Sequence, residues 1–130
     1  MTVAVCFEGV LSDNSHRNEL KNESYEDYQA AVSEDTPNLK LIDFLNTWKE
    51  EIVVYSTTPE NLRPAMLQWF IDQNLEVDHL LLKKKSDYRT DKEIKIDMVK
   101  SLDTRCKFVI ENSNKVAEAL RADGYLVIQV

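Results

Sequence analysis

The sequence predicts a three-layer α/β/α fold built around a five-stranded parallel sheet. Apolar runs rich in β-branched residues alternate along the chain with stretches of helical periodicity, which is the pattern of repeated βα units. The apolar runs are continuous rather than alternating, as expected for strands that helices cover on both faces. The five predicted strands are residues 2–7, 52–56, 79–82, 107–110 and 125–130.

The predicted helices occupy the segments between these strands, at residues 24–32, 38–49, 60–74, 91–102 and 115–122. The second helix has a broad apolar stripe that includes Ile42 and Trp48. Because proline has no N–H and a fixed φ, the third helix is expected to begin close to Pro64. Asn114 is the predicted N-terminal cap of the last helix, and Gly124 is the residue predicted to end it.

Length and composition indicate one compact domain over residues 1–130 and argue against several classes of protein. The chain is 43% hydrophobic and 30% charged, with two Gly and three Pro, which is unlike a disordered or fibrous protein. No apolar run approaches the roughly 20 residues of a membrane helix. The N-terminus lacks the basic region of a signal peptide, so we expect a cytoplasmic location and no membrane contact.

The charge of the chain is unevenly distributed. The net charge of −7 disfavours non-specific nucleic-acid binding. Residues 83–107 nevertheless carry nine Lys and Arg against five Asp and Glu, a local charge of +4. The favoured interpretation of this segment is a solvated helix face and loop, and the alternative is a rim that faces an anion such as phosphate.

The two cysteines, Cys6 and Cys106, lie outside any CxxC motif or Cys/His cluster, so neither a disulfide framework nor a zinc site is expected. The parallel topology would place them at opposite ends of neighbouring strands. The favoured interpretation of both residues is a small, buried, apolar side chain.

Ligands of an open parallel sheet bind beyond the carboxyl ends of its strands, and four motifs in this sequence fall there. The first strand runs into CFEGVLSD and then HR, and the second ends in IVVYS with a Pro-Glu soon after. A D-x-R-x-D-x-x-x-K pattern begins at residue 87, and the fourth strand ends in FVIEN. In order and spacing these motifs resemble the haloacid dehalogenase (HAD) superfamily, most closely the 3′-phosphatase domain of bacteriophage-type polynucleotide kinases. The resemblance implies a Rossmann-like fold without a large cap domain.

The resemblance also implies roles for individual residues, several of which depart from the family pattern. Cys6 stands in place of the nucleophilic aspartate, and Glu8 in place of the aspartate that acts as general acid and base. Val10 replaces the motif threonine. Glu111 and Asn112 stand where two carboxylates help to hold Mg²⁺ in the family.

Other positions keep the family's residue types. Ser56 and Lys95 match its phosphate-binding residues. His16, Arg17, Asp87 and Arg89 match positions near the family's active site and are candidates for a substrate rim. For His16 and Arg17 a role in holding the loop after the first strand is favoured, and for Asp87 and Arg89 an ion pair or loop anchor.

These departures predict severely impaired phosphatase chemistry. Mg²⁺ prefers hard oxygen ligands in an octahedron and takes sulfur poorly. Loss of a covalent nucleophile costs on the order of 10⁶ in rate, and an ångström of misplacement costs about 10²-fold. Catalysis by a Cys6 thiolate is disfavoured because the nearby Glu8 would raise the thiol pKa.

Two hypotheses of function follow. The first is a HAD-like pseudophosphatase that has lost activity, needs no cofactor and acts by binding a protein or a phosphorylated ligand. The alternative is a Mg²⁺-dependent phosphatase that acts on a nucleotide or polynucleotide 3′-phosphate. Nucleic acid is a disfavoured partner because of the net charge, and the expected location is the cytoplasm, or the host cytoplasm if the chain is viral.

Overall fold

The computed structural model describes residues 1–130, except for the side chain of Thr104. The strands in chain order are β1 (Thr2–Cys6), β2 (Ser12–Asp13), β3 (Thr36–Pro37), β4 (Ile52–Pro59), β5 (His79–Lys83), β6 (Cys106–Glu111) and β7 (Leu126–Gln129). The α-helices are α1 (Leu20–Glu23), α2 (Tyr25–Ala30), α3 (Leu39–Asn46), α4 (Arg63–Asp72), α5 (Asp91–Lys100) and α6 (Asn114–Ala122). Short 3₁₀ helices lie at Ser15–Arg17, Ala31–Glu34, Glu60–Leu62 and Asp103–Arg105.

Five strands form a parallel sheet in the order β5-β4-β1-β6-β7, which confirms the predicted fold class. The central strand β1 is buried along its whole length, because helices cover both faces of the sheet. Its register places Cys6 beside Tyr55 of β4 and Val5 beside Ile110 of β6. The carboxyl ends of β1, β4 and β6 therefore meet at one edge.

Residues 8–38 form a small insertion after β1 that the sequence predicted only in part. It contains the antiparallel ribbon of β2 and β3 and the short helices α1 and α2. Phe7 anchors the start of this insertion, because its ring packs edge-on against Trp69 and Phe70 of α4 at 4.9 and 5.8 Å. The insertion is too small to form a large cap, as predicted.

Several helix boundaries differ from the sequence prediction. The helices predicted to end at residues 32, 49, 74 and 102 end earlier, at Ala30, Asn46, Asp72 and Lys100. The helix predicted at 60–74 begins at Arg63, where Pro64 sits in the first turn, and residues Glu60–Leu62 form a 3₁₀ turn instead. The predicted cap at Asn114 is wrong, because Ser113 is the N-terminal cap of α6 and its Oγ accepts the Val116 N–H at 3.4 Å. Gly124 ends that helix with φ +90°, as predicted.

The two cysteines lie where the parallel topology predicts. Thr2 of β1 is the register partner of Cys106 in β6, so Cys6 and Cys106 occupy opposite ends of neighbouring strands. Both are free and buried. Among the residues that the structure describes, no helix is both long and apolar enough to span a bilayer.

Candidate functional site

A cleft with a volume of ≈ 180 Å³ lies at the carboxyl ends of β1, β4 and β6. Its lining includes Glu8, Thr58, Lys95 and Asn112, together with Tyr25 of α2. Three further residues are completely buried and contact these lining residues from below: Cys6, Ser56 and Glu111. Together with their contacts Glu8, Tyr55, Thr58 and Lys95 they form what we call the floor of the cleft. The fold thus brings together the sequence-predicted nucleophile, acid/base, phosphate-binding and metal positions.

Cys6 is the last residue of β1 and its side chain has no exposed surface. Its Sγ lies 3.7 Å from the carbonyl oxygen of Glu8, to which the thiol donates. Burial raises the pKa of this thiol well above its ordinary value of 9.0; Lys95 opposes the shift, and Glu111 and Glu8 reinforce it. At neutral pH Cys6 therefore keeps its proton and is neither a thiolate nucleophile nor an anionic ligand.

Glu8 folds back onto the end of β4. Its Oε1 accepts hydrogen bonds from the hydroxyl of Ser56 and from that of Thr58, the latter at 2.8 Å. The Thr58 N–H donates to Ser56 Oγ at 3.0 Å, which fixes both hydroxyls in this arrangement. Glu8 Oε2 is buried and has no hydrogen-bond partner among the described residues.

Gly9 allows the loop after β1 to approach the end of β6. Its φ of +75° lies in the left-handed region, and a Cβ at this position would collide with the side chain of Asn112. Because of this close approach, Glu8 and Asn112 both line the cleft.

Glu111 is completely buried at the end of β6, and both of its carboxylate oxygens already accept hydrogen bonds. Its Oε1 accepts from the Tyr55 hydroxyl at 2.8 Å. Its Oε2 accepts from the N–H groups of Asn112 at 2.7 Å and Ser113 at 2.8 Å, at the start of α6. Burial raises the pKa of Tyr55 well above 10.0, and the negative charge of Glu111 adds to the shift.

Lys95 reaches the same floor from α5. Its Nζ lies 3.9 Å from Glu111 Oε2, and the side chain is 12% exposed. Burial lowers the pKa of Lys95, but its anionic neighbours outweigh burial and raise the pKa to about 12. Because Cys6 contributes to this shift only as a thiolate, Glu111 and Glu8 are the partners of Lys95 at neutral pH.

His16 and Arg17 hold the loop after β1 through the buried carboxylate of Asp35. Arg17 is 1% exposed and donates to both oxygens of Asp35 at 2.8 Å. His16 Nε2 and Ser12 Oγ contact the same carboxylate at 2.7 and 2.9 Å. The Arg17 guanidinium also lies 4.6 Å from the centre of the Tyr28 ring. These are the contacts of a loop anchor, although Arg17 also forms part of the cleft wall.

Asp87 and Arg89 lie outside the cleft, along a separate groove beside α5. They form the predicted ion pair, with Arg89 Nε and Nη2 donating to the Asp87 carboxylate at 3.0 and 2.8 Å. Arg89 also contacts Asp97. Its hydrogen bonds lower the pKa of Asp87 to about 2.

No protein-family model matches the sequence, and no curated protein matches it. Among solved structures, one similar chain is in the Pnkp1/Rnl/Hen1 complex, with a TM-score of 0.79, 18% identity, and coverage of 99% of this chain and 45% of that one. A putative β-phosphoglucomutase from Thermotoga maritima matches with a TM-score of 0.57 and 16% identity, over 95% of this chain and 82% of that one. The HAD domain of effector protein Lem4 from Legionella pneumophila matches with a TM-score of 0.52 and 15% identity, over 99% and 83%.

The chain has a HAD-like fold. This confirms, for the fold, the resemblance stated from the sequence motifs. At these identities the similarity extends to the HAD-like fold and not to activity. The chain also spans less than half the length of the chain that it matches in the Pnkp1/Rnl/Hen1 complex.

The residues at the floor of the cleft do not fit the Mg²⁺ ion that the resemblance of the sequence motifs implies. Mg²⁺ requires hard oxygen ligands in a near-octahedral arrangement. Cys6 offers a neutral thiol, and both oxygens of Glu111 are held by hydrogen-bond donors. The ammonium of Lys95, 3.9 Å from Glu111, would repel a cation. Among the described residues, no group of three or more His, Cys, Asp or Glu side chains is arranged to hold a metal ion.

Two residues of the floor, Tyr55 and Thr58, had no role assigned from the sequence. Tyr55 is the one residue with a polar atom in the apolar run IVVY, and a buried hydroxyl of this kind needs a partner. Thr58 follows Ser56 by two residues at the end of β4, so both belong to the strand end at which ligands are expected.

Proposed function

We propose that this HAD-like chain has no phosphatase activity and acts by binding a protein partner. The observation that carries the proposal is the buried, protonated thiol of Cys6 at the position where the first strand should present a nucleophilic carboxylate. A neutral thiol with no exposed surface can neither attack phosphorus nor share a divalent cation.

The neighbouring groups make the same chemistry less favourable. The carboxylate of Glu8 is held by Ser56 and Thr58, and that of Glu111 by Tyr55 and two backbone N–H groups. Because loss of a covalent nucleophile alone costs on the order of 10⁶ in rate, we expect no turnover above the uncatalysed background.

Two observations favour a protein as the partner. A chain of similar fold occurs in a multi-protein assembly, the Pnkp1/Rnl/Hen1 complex. The edge strand β7 also exposes apolar side chains, with Leu126 63% and Ile128 45% exposed. Apolar groups clustered on the surface of a folded protein often mark an interaction site.

The first experiment measures hydrolysis of an aryl phosphate and of a 3′-phosphorylated oligonucleotide in the presence of Mg²⁺. We expect the wild type and Glu8→Ala to release phosphate at the rate of buffer alone. Mg²⁺-dependent release by the wild type that disappears in Glu8→Ala would overturn the proposal and establish the alternative, a Mg²⁺-dependent phosphatase.

A restored variant serves as the positive control for that assay. It combines Cys6→Asp, Glu8→Asp, Val10→Thr and Asn112→Asp, which returns the carboxylates and the hydroxyl that the family motifs contain. Turnover by this variant, with none by the wild type, would assign the loss of activity to these four positions.

The second experiment addresses the partner. The wild type and Ile128→Lys are used in parallel to capture proteins from cells that contain the chain. The proposal expects a protein that binds the wild type with micromolar or tighter affinity and loses at least about tenfold in affinity for Ile128→Lys. Equal binding to both proteins would contradict a role for the β7 surface.

A further inference from the structure

We infer that Glu8 closes the cleft to phosphate by supplying, from within the chain, the anion that the hydroxyl donors of the cleft would otherwise bind. The inference deepens the proposed function and rests on it: a cleft that neither hydrolyses nor holds phosphate leaves surfaces outside its floor to bind the partner. It makes Glu8 the residue that determines which ligands this cleft accepts.

The hydroxyl donors of the cleft floor are engaged by the chain itself. Ser56 and Thr58 both donate to Glu8 Oε1, and the N–H of Thr58 donates to Ser56 Oγ. Hydroxyls and backbone N–H groups at a strand end, beside a lysine, are suitable donors for an oxyanion. Here the oxyanion that they bind is the carboxylate of Glu8, so an incoming phosphate would have to displace it.

The charges around the cleft also oppose a phosphate group. Lys95 and Arg17 each face a buried carboxylate, at 3.9 and 2.8 Å respectively, so neither carries an unbalanced positive charge. Of the other lining residues, Glu8 and Asp91 are acidic and Lys21 is basic. A phosphate dianion would therefore enter a cleft with a net negative charge and be repelled by it.

The second oxygen of Glu8 adds a further obstacle. Oε2 is buried and has no donor among the described residues. A lone acceptor repels the oxygens of a phosphate, which are themselves acceptors at neutral pH. A phosphate that reached the floor would therefore find two hydroxyls that are already engaged, with the unpaired acceptor of Glu8 beside them.

Removal of the Glu8 side chain should reverse this preference. Glu8→Ala frees the hydroxyls of Ser56 and Thr58 and removes one negative charge beside Lys95. Hydrogen bonds to a charged group are strong enough to change affinity about tenfold or more each. We therefore expect Glu8→Ala to bind inorganic phosphate about 100-fold more tightly than the wild type.

The experiment is a calorimetric titration of inorganic phosphate into the wild type, Glu8→Ala and Asp91→Ala at neutral pH and without Mg²⁺. Asp91→Ala is the matched control, because Asp91 lines the same cleft and has the same charge but makes no hydrogen bond to Ser56 or Thr58. We expect weak binding by the wild type and Asp91→Ala and tight binding by Glu8→Ala. A further Ser56→Ala substitution in Glu8→Ala should cancel at least about tenfold of that gain.

Two results would overturn the inference: phosphate binding by a folded Glu8→Ala that is no tighter than binding by the wild type, or an equal gain in affinity in Asp91→Ala. Circular dichroism verifies that each variant is folded. Should Glu8→Ala not fold, Glu8→Gln replaces it, because it keeps the side-chain length and removes the charge. The amide oxygen can still accept from Ser56 and Thr58, so the expected gain in affinity is about tenfold rather than 100-fold, and an unchanged dissociation constant would contradict the inference. Phosphate binding by the wild type without hydrolysis would refute this inference alone, whereas Mg²⁺-dependent hydrolysis would refute the proposed function.

Discussion

Two carboxylates lie near the loop after β1, and their surroundings differ. Asp35 receives hydrogen bonds on both oxygens, from His16 and Arg17 on one and from Arg17 and Ser12 on the other. Glu8 receives two hydrogen bonds on one oxygen and none on the other. The two residues are both acidic, yet only Asp35 has a full set of partners.

The number of hydrogen bonds that each carboxylate receives distinguishes a residue that stabilises the fold from one that can contact a ligand. A buried ion pair in which every lone pair has a donor holds one conformation, because any rearrangement leaves a charge without a partner. A carboxylate with an unpaired oxygen at the wall of a cleft remains able to interact with something else. We therefore assign Asp35 to the stability of the loop and Glu8 to the selectivity of the cleft.

The largest decrease in the free energy of unfolding is expected when the ion pair of Asp35 is broken. Arg17→Ala should destabilise the protein by about 3–5 kcal/mol, because it leaves the buried Asp35 carboxylate without its bidentate partner. The measurement is urea unfolding followed by circular dichroism.

The control for this prediction is Arg63→Ala, which removes the partially exposed ion pair with Glu60 and should cost about 0–1 kcal/mol. Equal decreases in the free energy of unfolding in Arg17→Ala and Arg63→Ala would contradict the claim that the buried pair with Asp35 stabilises the protein more than the surface pair does.

The second prediction compares the two acidic residues of the cleft floor. Glu111→Gln should cost about 2–3 kcal/mol, because an amide cannot accept from Tyr55 and from the N–H groups of Asn112 and Ser113 on both of its ends. Glu8→Gln should cost no more than about 1 kcal/mol, because Glu8 Oε2 has no partner to lose. Unfolding free energies of both variants provide the test, and a larger loss in Glu8→Gln would contradict the account.

The third prediction concerns alkaline pH. Cys6, Tyr55 and Lys95 have pKa values raised above their ordinary 9.0, 10.0 and 10.5, so the folded state holds these protons more tightly than the unfolded state does. The stability that this contributes is present below pH 9.0 and is lost as the pH rises beyond it. The free energy of unfolding should therefore fall from about pH 9 upward.

Cys6→Ala tests which group begins that decline. Burial also raises the pKa of Cys106 above 9.0, so the comparison is made in a Cys106→Ala background. In that background the next group with a raised pKa after Cys6 is Tyr55, so removal of the Cys6 thiol should move the onset about one pH unit higher, from 9.0 toward 10.0. An onset at the same pH in both proteins would show that Cys6 does not begin the decline.

The smallest expected effect is at the helix that follows Glu111. Ser113→Ala removes the N-terminal cap of α6 and should cost about 1 kcal/mol, whereas Asn114→Ala should cost only a few tenths of that. Thermal unfolding of the two variants measures both losses of stability. A larger loss in Asn114→Ala than in Ser113→Ala would show that Asn114 is the N-terminal cap.

The sheet was the most predictable part of the molecule. A continuous apolar run such as that of β1 directly indicates a strand whose two faces are both covered by helices. The insertion after β1 was less predictable. Its ribbon pairs only two residues on each strand, and α1 is four residues long, so neither leaves a periodic pattern. The predicted ion pair of Asp87 and Arg89 is confirmed, since the two residues are near neighbours in the chain.

The partners of the cleft residues could not be predicted from the sequence. The pairing of Tyr55 with Glu111, and of Glu8 with Ser56 and Thr58, joins positions about fifty residues apart and depends on strand register. The motifs indicated which residues would meet at the sheet edge, but not that the Glu8 carboxylate turns toward β4.

The central claim is that the floor of the cleft does not assemble the oxygen ligands that a divalent cation needs, because Cys6 is a neutral thiol, both Glu111 oxygens accept hydrogen bonds and the Lys95 ammonium lies 3.9 Å from Glu111. Its most direct test is a thermal melt of the wild type with and without about 10 mM Mg²⁺, since an ion bound to the folded state must raise the melting temperature. We expect no shift beyond that produced by the same ionic strength of a monovalent salt. A Mg²⁺-specific rise of several degrees that Glu8→Ala abolishes would contradict the account.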